Sequence, residues 1–260
     1  MAGSFAGKAV IVTGASSGIG RTIAVELGRQ GADLWLVGRS QSELEATAQQ
    51  IAEAGGPKAH VAAMDLQQRG PLARLIEEVG AAHPHLFGLI SNAGVMYPEP
   101  IMSGTIDRWQ QMMDINVMAM LEGCQAAVKV MRAQGKPGHL INIGSVQARF
   151  EVPGVYGVTK RATLAIGDTL REELEHDDIR VCTIVPGGFT TNLARGFLPE
   201  SLATVGEAFK SKGLEYGGAD MAKALSDPQH IADMVCYVMQ APIELNIQEV
   251  VMRPPVSTKA

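Results

Sequence analysis

The sequence predicts an α/β fold built on a doubly wound parallel sheet of about seven strands with helices on both faces. Three observations carry that expectation. Short β-rich runs alternate along the chain with stretches whose apolar residues recur at three- to four-residue spacing. The strand runs are almost continuously apolar (VIV, LWLV, LINI, VCTIV), as strands covered on both faces have to be. A glycine-rich turn follows directly on the first of them.

Taken in order, the first strand is Lys8–Thr13, and the periodic stretch Gly20–Gln30 behind it reads as a helix. Asp33–Val37 is the second strand and Glu43–Ala54 the second helix, followed by strand Lys58–Ala63 and helix Leu72–Ala82. Phe87–Ser91 then opens the second half, with one long helix expected over Arg108–Arg132. His139–Gly144, Tyr156–His176, Ile179–Val185, Gln229–Gln240 and Asn246–Met252 complete the alternation. One stretch breaks it. Thr190 to Pro228 carries glycines, Phe197, Phe209, Tyr216 and several charges, and reads as an insertion (residues 190–228) after the sixth strand. Loops beyond the carboxyl ends of parallel strands commonly serve binding, so a substrate lid is the favoured use and a surface excursion without a role the alternative. Residues 1–260 otherwise read as one dinucleotide-binding catalytic domain, with no repeat and no second unit.

Composition excludes several function classes. The 260 residues are 46% apolar and 19% charged, enough for a large core and inconsistent with global disorder. Twenty-two Lys and Arg against 27 Asp and Glu give a net charge of −5, so no basic field is present to recruit nucleic acid. No apolar run reaches the roughly 18 residues a membrane span needs, and Met1–Lys8 lacks the layout of a secretory signal, so a cytoplasmic protein is expected. Cys124, Cys182 and Cys236 are odd in number and have no CxxC spacing, which fits reduced, buried thiols. His83-Pro84-His85 offers two imidazoles without a third ligand, and no metal is expected.

The turn after the first strand is Thr13-Gly14-Ala15-Ser16-Ser17-Gly18-Ile19-Gly20, a GxxxGxG spacing. Glycines at such a junction permit a tight turn, let backbone amides approach a pyrophosphate, and let the helix pack closely on the strand. A plain strand-to-helix turn would look similar in isolation. At the first βα junction of an alternating chain, however, dinucleotide binding and a Rossmann-type sheet are expected. The second strand ends Leu36-Val37-Gly38-Arg39, with Gly38 where an NAD enzyme normally has a carboxylate for the ribose hydroxyls. Arg39 supplies instead a planar, permanently charged fork suited to a 2′-phosphate, so NADP is expected over NAD. The alternative is a solvated Arg at a strand end.

These residues, with Asn92-Ala93-Gly94 after the fourth strand, Tyr156-Gly157-Val158-Thr159-Lys160 opening a helix, and Pro186-Gly187 after the sixth strand, resemble the short-chain dehydrogenase/reductase family. The resemblance runs from Lys8 to about Arg253. Within it, the C-terminal Pro242–Pro255 is similar to the subgroup of NADP-dependent 3-hydroxy-acid dehydrogenases and carbonyl reductases.

The resemblance implies a catalytic tetrad of Asn116, Ser145, Tyr156 and Lys160. Tyr156 and Lys160 lie four apart on one helix and face the same side, so an ammonium can stabilise a phenolate whose free pKa is about 10. Ser145, expected at the carboxyl end of the fifth strand, would hydrogen-bond a substrate carbonyl. Asn116 matches the family's water-holding asparagine. On the cofactor side the resemblance implies Gly14, Ser16, Ser17, Gly18, Ile19, Gly20, Arg39, Asp65, Leu66, Asn92, Ala93, Gly94, Tyr156, Lys160, Pro186, Gly187, Phe189 and Thr191. Asp65 and Leu66 stand near the adenine and Phe189 replaces the usual aliphatic beside the nicotinamide. Gly144 in place of a first Ser, Thr159 in place of the Ser before Lys, and a short Ser145–Tyr156 interval depart from the pattern.

The expected activity is NADP-dependent interconversion of a ketone or aldehyde and its alcohol. An NAD-linked catabolic alcohol or hydroxy-acid dehydrogenase and a non-catalytic nucleotide sensor are the alternatives. Met96, Phe197, Phe209 and Tyr216 are candidate substrate-pocket residues and hint at an apolar, medium-sized carbonyl compound. Arg149 and Arg195 are candidate partners for a substrate carboxylate. The stretches 111–130 and 162–170 carry few charges, so helices there need a second surface to bury, and a homotetramer, or failing that a homodimer, is expected.

Overall fold

The apolar runs become seven strands in the computed structural model, which describes residues 3–149, 154–191, 210 and 224–255. They are β1 (Ala9–Thr13), β2 (Asp33–Gly38), β3 (His60–Ala63), β4 (Leu86–Ser91), β5 (Gly138–Ile143), β6 (Ile179–Pro186) and β7 (Glu249–Met252). All pair in parallel, in the order β3-β2-β1-β4-β5-β6-β7. The order runs outward from β1 to β3 and restarts on the other side of β1 with β4. That reversal leaves a crevice beyond the carboxyl ends of β1 and β4, where open α/β sheets bind ligands.

Between the strands lie α1 (Gly18–Arg29), α2 (Gln41–Glu53), α3 (Pro71–Ala82), α4 (Ile106–Met113), α5 (Ala119–Gln134), α6 (Val155–Glu173) and α7 (Gln229–Gln240). Alternation along the strands sorts the core into two layers. Val10 and Val12 of β1 pack with Ile23 and Leu27 of α1 and Val235 of α7, whereas Ala9 and Ile11 face Ile76 of α3 and Cys124 of α5. All five residues of β1 are buried, which is why it reads as unbroken hydrophobicity. Burial pushes all three cysteine thiols up to about 12, so they are unreactive filler of these layers. Among the described residues no helix is long and apolar enough to cross a membrane.

The structure departs from the expected helix over Arg108–Arg132. A π-helical turn over Asp114–Met118 separates α4 from α5, and Asn116 sits inside it, buried. An extra residue per turn costs hydrogen-bond geometry, and such turns occur mostly where a side chain has to be aimed. The core of the expected insertion, including Phe197, Phe209, Tyr216 and Arg195, lies outside the described residues. Its two flanks are held together. Ser226 donates from its N–H to the Gly188 carbonyl (3.0 Å) and accepts from Thr190 N–H (3.1 Å), with Phe189 and Ser226 bridged in parallel.

Candidate active site

At the crevice, side chains rather than ladder bonds tie β1 to β4. Thr13 Oγ1 donates to the Ile90 carbonyl (3.1 Å) and accepts from the N–H groups of Asn92 (3.0 Å) and Ala93 (3.1 Å). Asn92 Nδ2 returns two bonds, to the carbonyls of Thr13 (3.0 Å) and Gly14 (3.2 Å). The glycine turn is therefore built against Asn92. A Cβ on Gly14, which holds φ at +68°, would lie 2.7 Å from Asn92 Nδ2 and 2.9 Å from the Ala93 Cα. On Gly20 it would lie 2.3 Å from the Gly14 carbonyl oxygen, so Gly20 permits close packing and does not itself face the crevice.

Ser17 occupies the N-cap of α1, and its side chain makes no capping bond. The first-turn amides of this twelve-residue helix are thereby left to face the crevice beside Ser16, Gly18 and Ile19. This is the arrangement an anionic pyrophosphate needs, with backbone donors, the positive end of a helix, and no Cβ in the way. Arg39, exposed at the end of β2, reaches the same cavity.

The other wall comes from β5 and α6. β5 ends at Ile143, so Ser145 stands two residues beyond the strand rather than closing it. Its Oγ accepts from Gln147 N–H (3.2 Å) and starts the short 3-10 turn Val146–Arg149. α6 begins at Val155 and places Tyr156 and Lys160 one turn apart, both buried, on the face toward Ser145. Lys160 Nζ donates to the Ile143 carbonyl (2.8 Å) and lies 6.0 Å from the centre of the Tyr156 ring. Burial pushes the Tyr156 phenol up to about 12, against a smaller opposing effect of its hydrogen bond with Ser145. The same burial pulls the Lys160 ammonium down to about 8. At neutral pH the phenol is thus protonated and the amine is still mostly charged.

Asn116 is tied to its surroundings through its side chain. Its carboxamide clamps the backbone of Val95, accepting from the N–H (2.8 Å) and donating to the carbonyl (2.9 Å), and gives its second Nδ2 hydrogen to Thr159 Oγ1 (3.0 Å). Thr159 Oγ1 in turn donates to the Tyr156 carbonyl (2.8 Å). Asn116 therefore positions the segment after Asn92-Ala93-Gly94 against the helix that carries Tyr156 and Lys160. Together with Lys160 and Leu66 it lines a small void behind the main cavity, not the cavity itself.

One cavity of about 280 Å³ brings most of the expected residues together. Gly14, Ser16, Ser17, Gly18, Ile19 and Arg39 line one end, Asn92, Ala93, Gly94 and Met96 the middle, and Ser145, Tyr156, Lys160, Pro186, Gly187, Phe189 and Thr191 the other. Asp65 and Leu66 do not line it. Asp65 instead accepts from the Gln67 backbone N–H (3.0 Å). Four lining residues were not expected: Val95, Tyr97, Ile143 and Gly144. A lone loop tyrosine three residues after Asn-Ala-Gly has no periodicity to flag it, although its nearness to that turn is a usable signal. Arg149 pairs with Glu249 across to β7 and does not line the cavity. His83 Nε2 accepts from Trp35 Nε1 (3.2 Å), and His85 Nε2 lies 2.8 Å from the Pro137 carbonyl.

Comparison with known proteins extends over nearly the whole chain. The sequence profile described as short chain dehydrogenase matches residues 8–201. An uncharacterized oxidoreductase of Staphylococcus epidermidis is 32% identical over 250 residues, covering 95% of this chain and 97% of the relative. Among solved structures, a metagenomic short-chain oxidoreductase in complex with NADP superposes with a TM-score of 0.79 at 27% identity, covering 98% of this chain and 100% of that one. The L-sorbose reductase of Gluconobacter frateurii, complexed with NADPH and L-sorbose, gives a TM-score of 0.81 at 27% identity over 98% of each chain.

Proposed function

Because this chain belongs to the short-chain dehydrogenase/reductase family and is an oxidoreductase, we propose that it uses NADP to interconvert a ketone or aldehyde and the corresponding alcohol, with Tyr156 as the acid/base. The observation that carries the reading is the single cavity in which Tyr156, Ser145 and Lys160 face the uncapped N-terminus of α1 and Arg39. The glycine turn and α1 amides would hold a dinucleotide's pyrophosphate, Arg39 its 2′-phosphate, and Pro186, Gly187, Phe189 and Thr191 its nicotinamide end. Bound there, such a cofactor supplies or accepts the hydride.

The chain's own residues do the rest. Ser145 Oγ donates to the substrate carbonyl oxygen and fixes the carbonyl beside Tyr156. As negative charge develops on that oxygen, Tyr156 gives up its phenolic proton, and Lys160 offsets the charge left on the ring oxygen. Run in the other direction, the phenolate removes the alcohol proton. A phenol held protonated by burial is already in the form that reduction requires. The NADP complexes of the metagenomic relative and of L-sorbose reductase favour the same cofactor here.

Cofactor choice is tested at the end of β2. Charge-assisted hydrogen bonds to a phosphate are worth roughly 1.5–3 kcal/mol each, so Arg39→Ala should weaken NADP binding about ten- to a hundredfold and leave NAD nearly unchanged. Gly38→Asp should act in the opposite sense, adding a ribose acceptor and a charge that repels the phosphate. A Cβ on Gly38 would meet no backbone atom among its three nearest neighbours, which are Leu44 Cδ2 at 3.3 Å, Ser16 Oγ at 3.5 Å and Ser16 Cβ at 3.6 Å, so Leu44 has to give by a few tenths of an ångström. kcat/KM for both cofactors in the three proteins is the measurement, and an unmoved NADP-to-NAD ratio in Arg39→Ala would show that another group reads the phosphate.

The proposal includes self-association. Met118 at the end of the π-helical turn, Leu121 in α5 and Val158 on α6 are exposed apolar residues on the helices expected to need a second surface. Sedimentation at micromolar concentration should give a tetramer, or a dimer, and a monomer mass would exclude it.

A further inference from the structure

Between the Asn92-Ala93-Gly94 turn and α4 the chain is pinned to the elements that carry the tetrad. Val95 is gripped through both its N–H and its carbonyl by Asn116. Four residues on, the Glu99 carbonyl abuts the start of α6, where a Cβ on Gly154 would lie 2.2 Å from its oxygen, two residues before Tyr156. The Glu99 carboxylate pairs with Arg108 of α4, and its N–H donates to the Tyr97 carbonyl (2.9 Å).

Between these anchors Tyr97 is itself fixed. Its hydroxyl donates to Gln111 Oε1 (2.5 Å), and the Arg108 guanidinium lies 5.2 Å from its ring centre. Arg108 and Gln111 are three apart on α4 and share a face. Gln111 and Asn116 are five apart and would diverge on a regular α-helix. The π-helical turn brings both to bear on the same short segment.

We propose that Tyr97 is the specificity-determining wall of the substrate half of the cavity, and that it selects carbonyl compounds carrying an aromatic or flat cyclic apolar substituent beside the carbonyl. The inference rests on the carbonyl-reductase reading above and names its substrate class. Tyr97 lines the cavity with Met96 and Phe189, and its one hydroxyl proton is spent on Gln111. With Phe189 given to the nicotinamide end, what is left for a substrate here is the Tyr97 ring and the Met96 thioether, groups that reward flat apolar substituents through offset stacking and sulfur–ring contact. A polyhydroxylated substituent set against them would lose water for few hydrogen-bond partners in return. A ring already held in place costs little further ordering on binding.

The test compares kcat/KM for an aryl alkyl ketone, a short aliphatic ketone and a ketose, with NADPH and with NADH, in wild type and in Tyr97→Ala, Tyr97→Leu and Tyr97→Phe. The wild type is expected to favour the aryl ketone. Tyr97→Ala and Tyr97→Leu should lower the aryl-to-aliphatic ratio by about tenfold or more, mainly through KM, and Tyr97→Phe should keep most of it because the ring remains. The leucine variant keeps the test valid if the alanine variant does not fold. A ratio that stays put in both, or a wild type that prefers the ketose, overturns the role given to Tyr97 while leaving carbonyl reduction standing. A folded wild type that reduces none of the three with either cofactor overturns both readings.

Discussion

Replacing Tyr156 by Phe is expected to lower kcat by about a hundred- to ten-thousandfold while NADP affinity stays near wild type, since the variant lacks only the group that moves the proton. Little else should change. The side chain is buried, so Phe keeps its packing, and Ser145 Oγ still accepts from Gln147 N–H at 3.2 Å and so holds its turn. A properly folded variant retaining more than about a tenth of wild-type turnover would remove Tyr156 from the role of acid.

Lys160→Met should cost more than turnover. Lys160 Nζ is a buried cation 6.0 Å from the Tyr156 ring centre, and the family resemblance also counts it among the cofactor residues, so both kcat and cofactor affinity should fall, kcat/KM by about a hundredfold or more. Its titration supplies a sharper readout. Burial lowers the ammonium to about 8, so the charge is present below that pH and lost as pH rises through it. Because kcat/KM reports groups of the free enzyme, the wild-type profile for carbonyl reduction should be level toward neutral pH and fall above about 8. In Lys160→Met that limb should vanish along with the bulk of the activity. A limb surviving in the variant would assign the ionisation to another group.

The sheet was readable because parallel strands covered on both faces have to be apolar throughout. β1, β2, β4, β5 and β6 announce themselves in this way, whereas the two edge strands, β3 (His60–Ala63) without a buried residue and the half-exposed β7 (Glu249–Met252), are the ones whose starts were expected furthest too early, at Lys58 and Asn246. The glycine turn, Arg39, Ser145, Tyr156 and Lys160 were readable because each is a residue type demanded at a fixed place in the βα alternation, and the fold brings them to one cavity. Asp65 was assigned to the adenine side by resemblance alone, and it lies outside this cavity, where its carboxylate accepts from the Gln67 N–H.

The π-helical turn was not readable. Asp-Ile-Asn-Val-Met has the spacing of any amphipathic helix, and what widens the turn is the tertiary demand that Asn116 reach the Val95 backbone. Thr159 looked like a departure from pattern and is instead a link, accepting from Asn116 while donating to the Tyr156 carbonyl. Tyr97 escaped notice because a single loop aromatic gains meaning only from what it touches. The same limit applies to Ser145, whose place beyond the strand end follows from where the β5 to β6 ladder stops at Ile143.

The central claim, hydride transfer from NADPH to a carbonyl carbon with Tyr156 supplying the proton, is tested most directly with NADPH deuterated at nicotinamide C4. The wild-type enzyme, given an aryl alkyl ketone, should yield alcohol carrying deuterium on the former carbonyl carbon when the cofactor is labelled on one face and none when it is labelled on the other, at a kcat/KM well above that with NADH. Alcohol free of deuterium from either labelled cofactor, or a higher kcat/KM with NADH, would contradict the account.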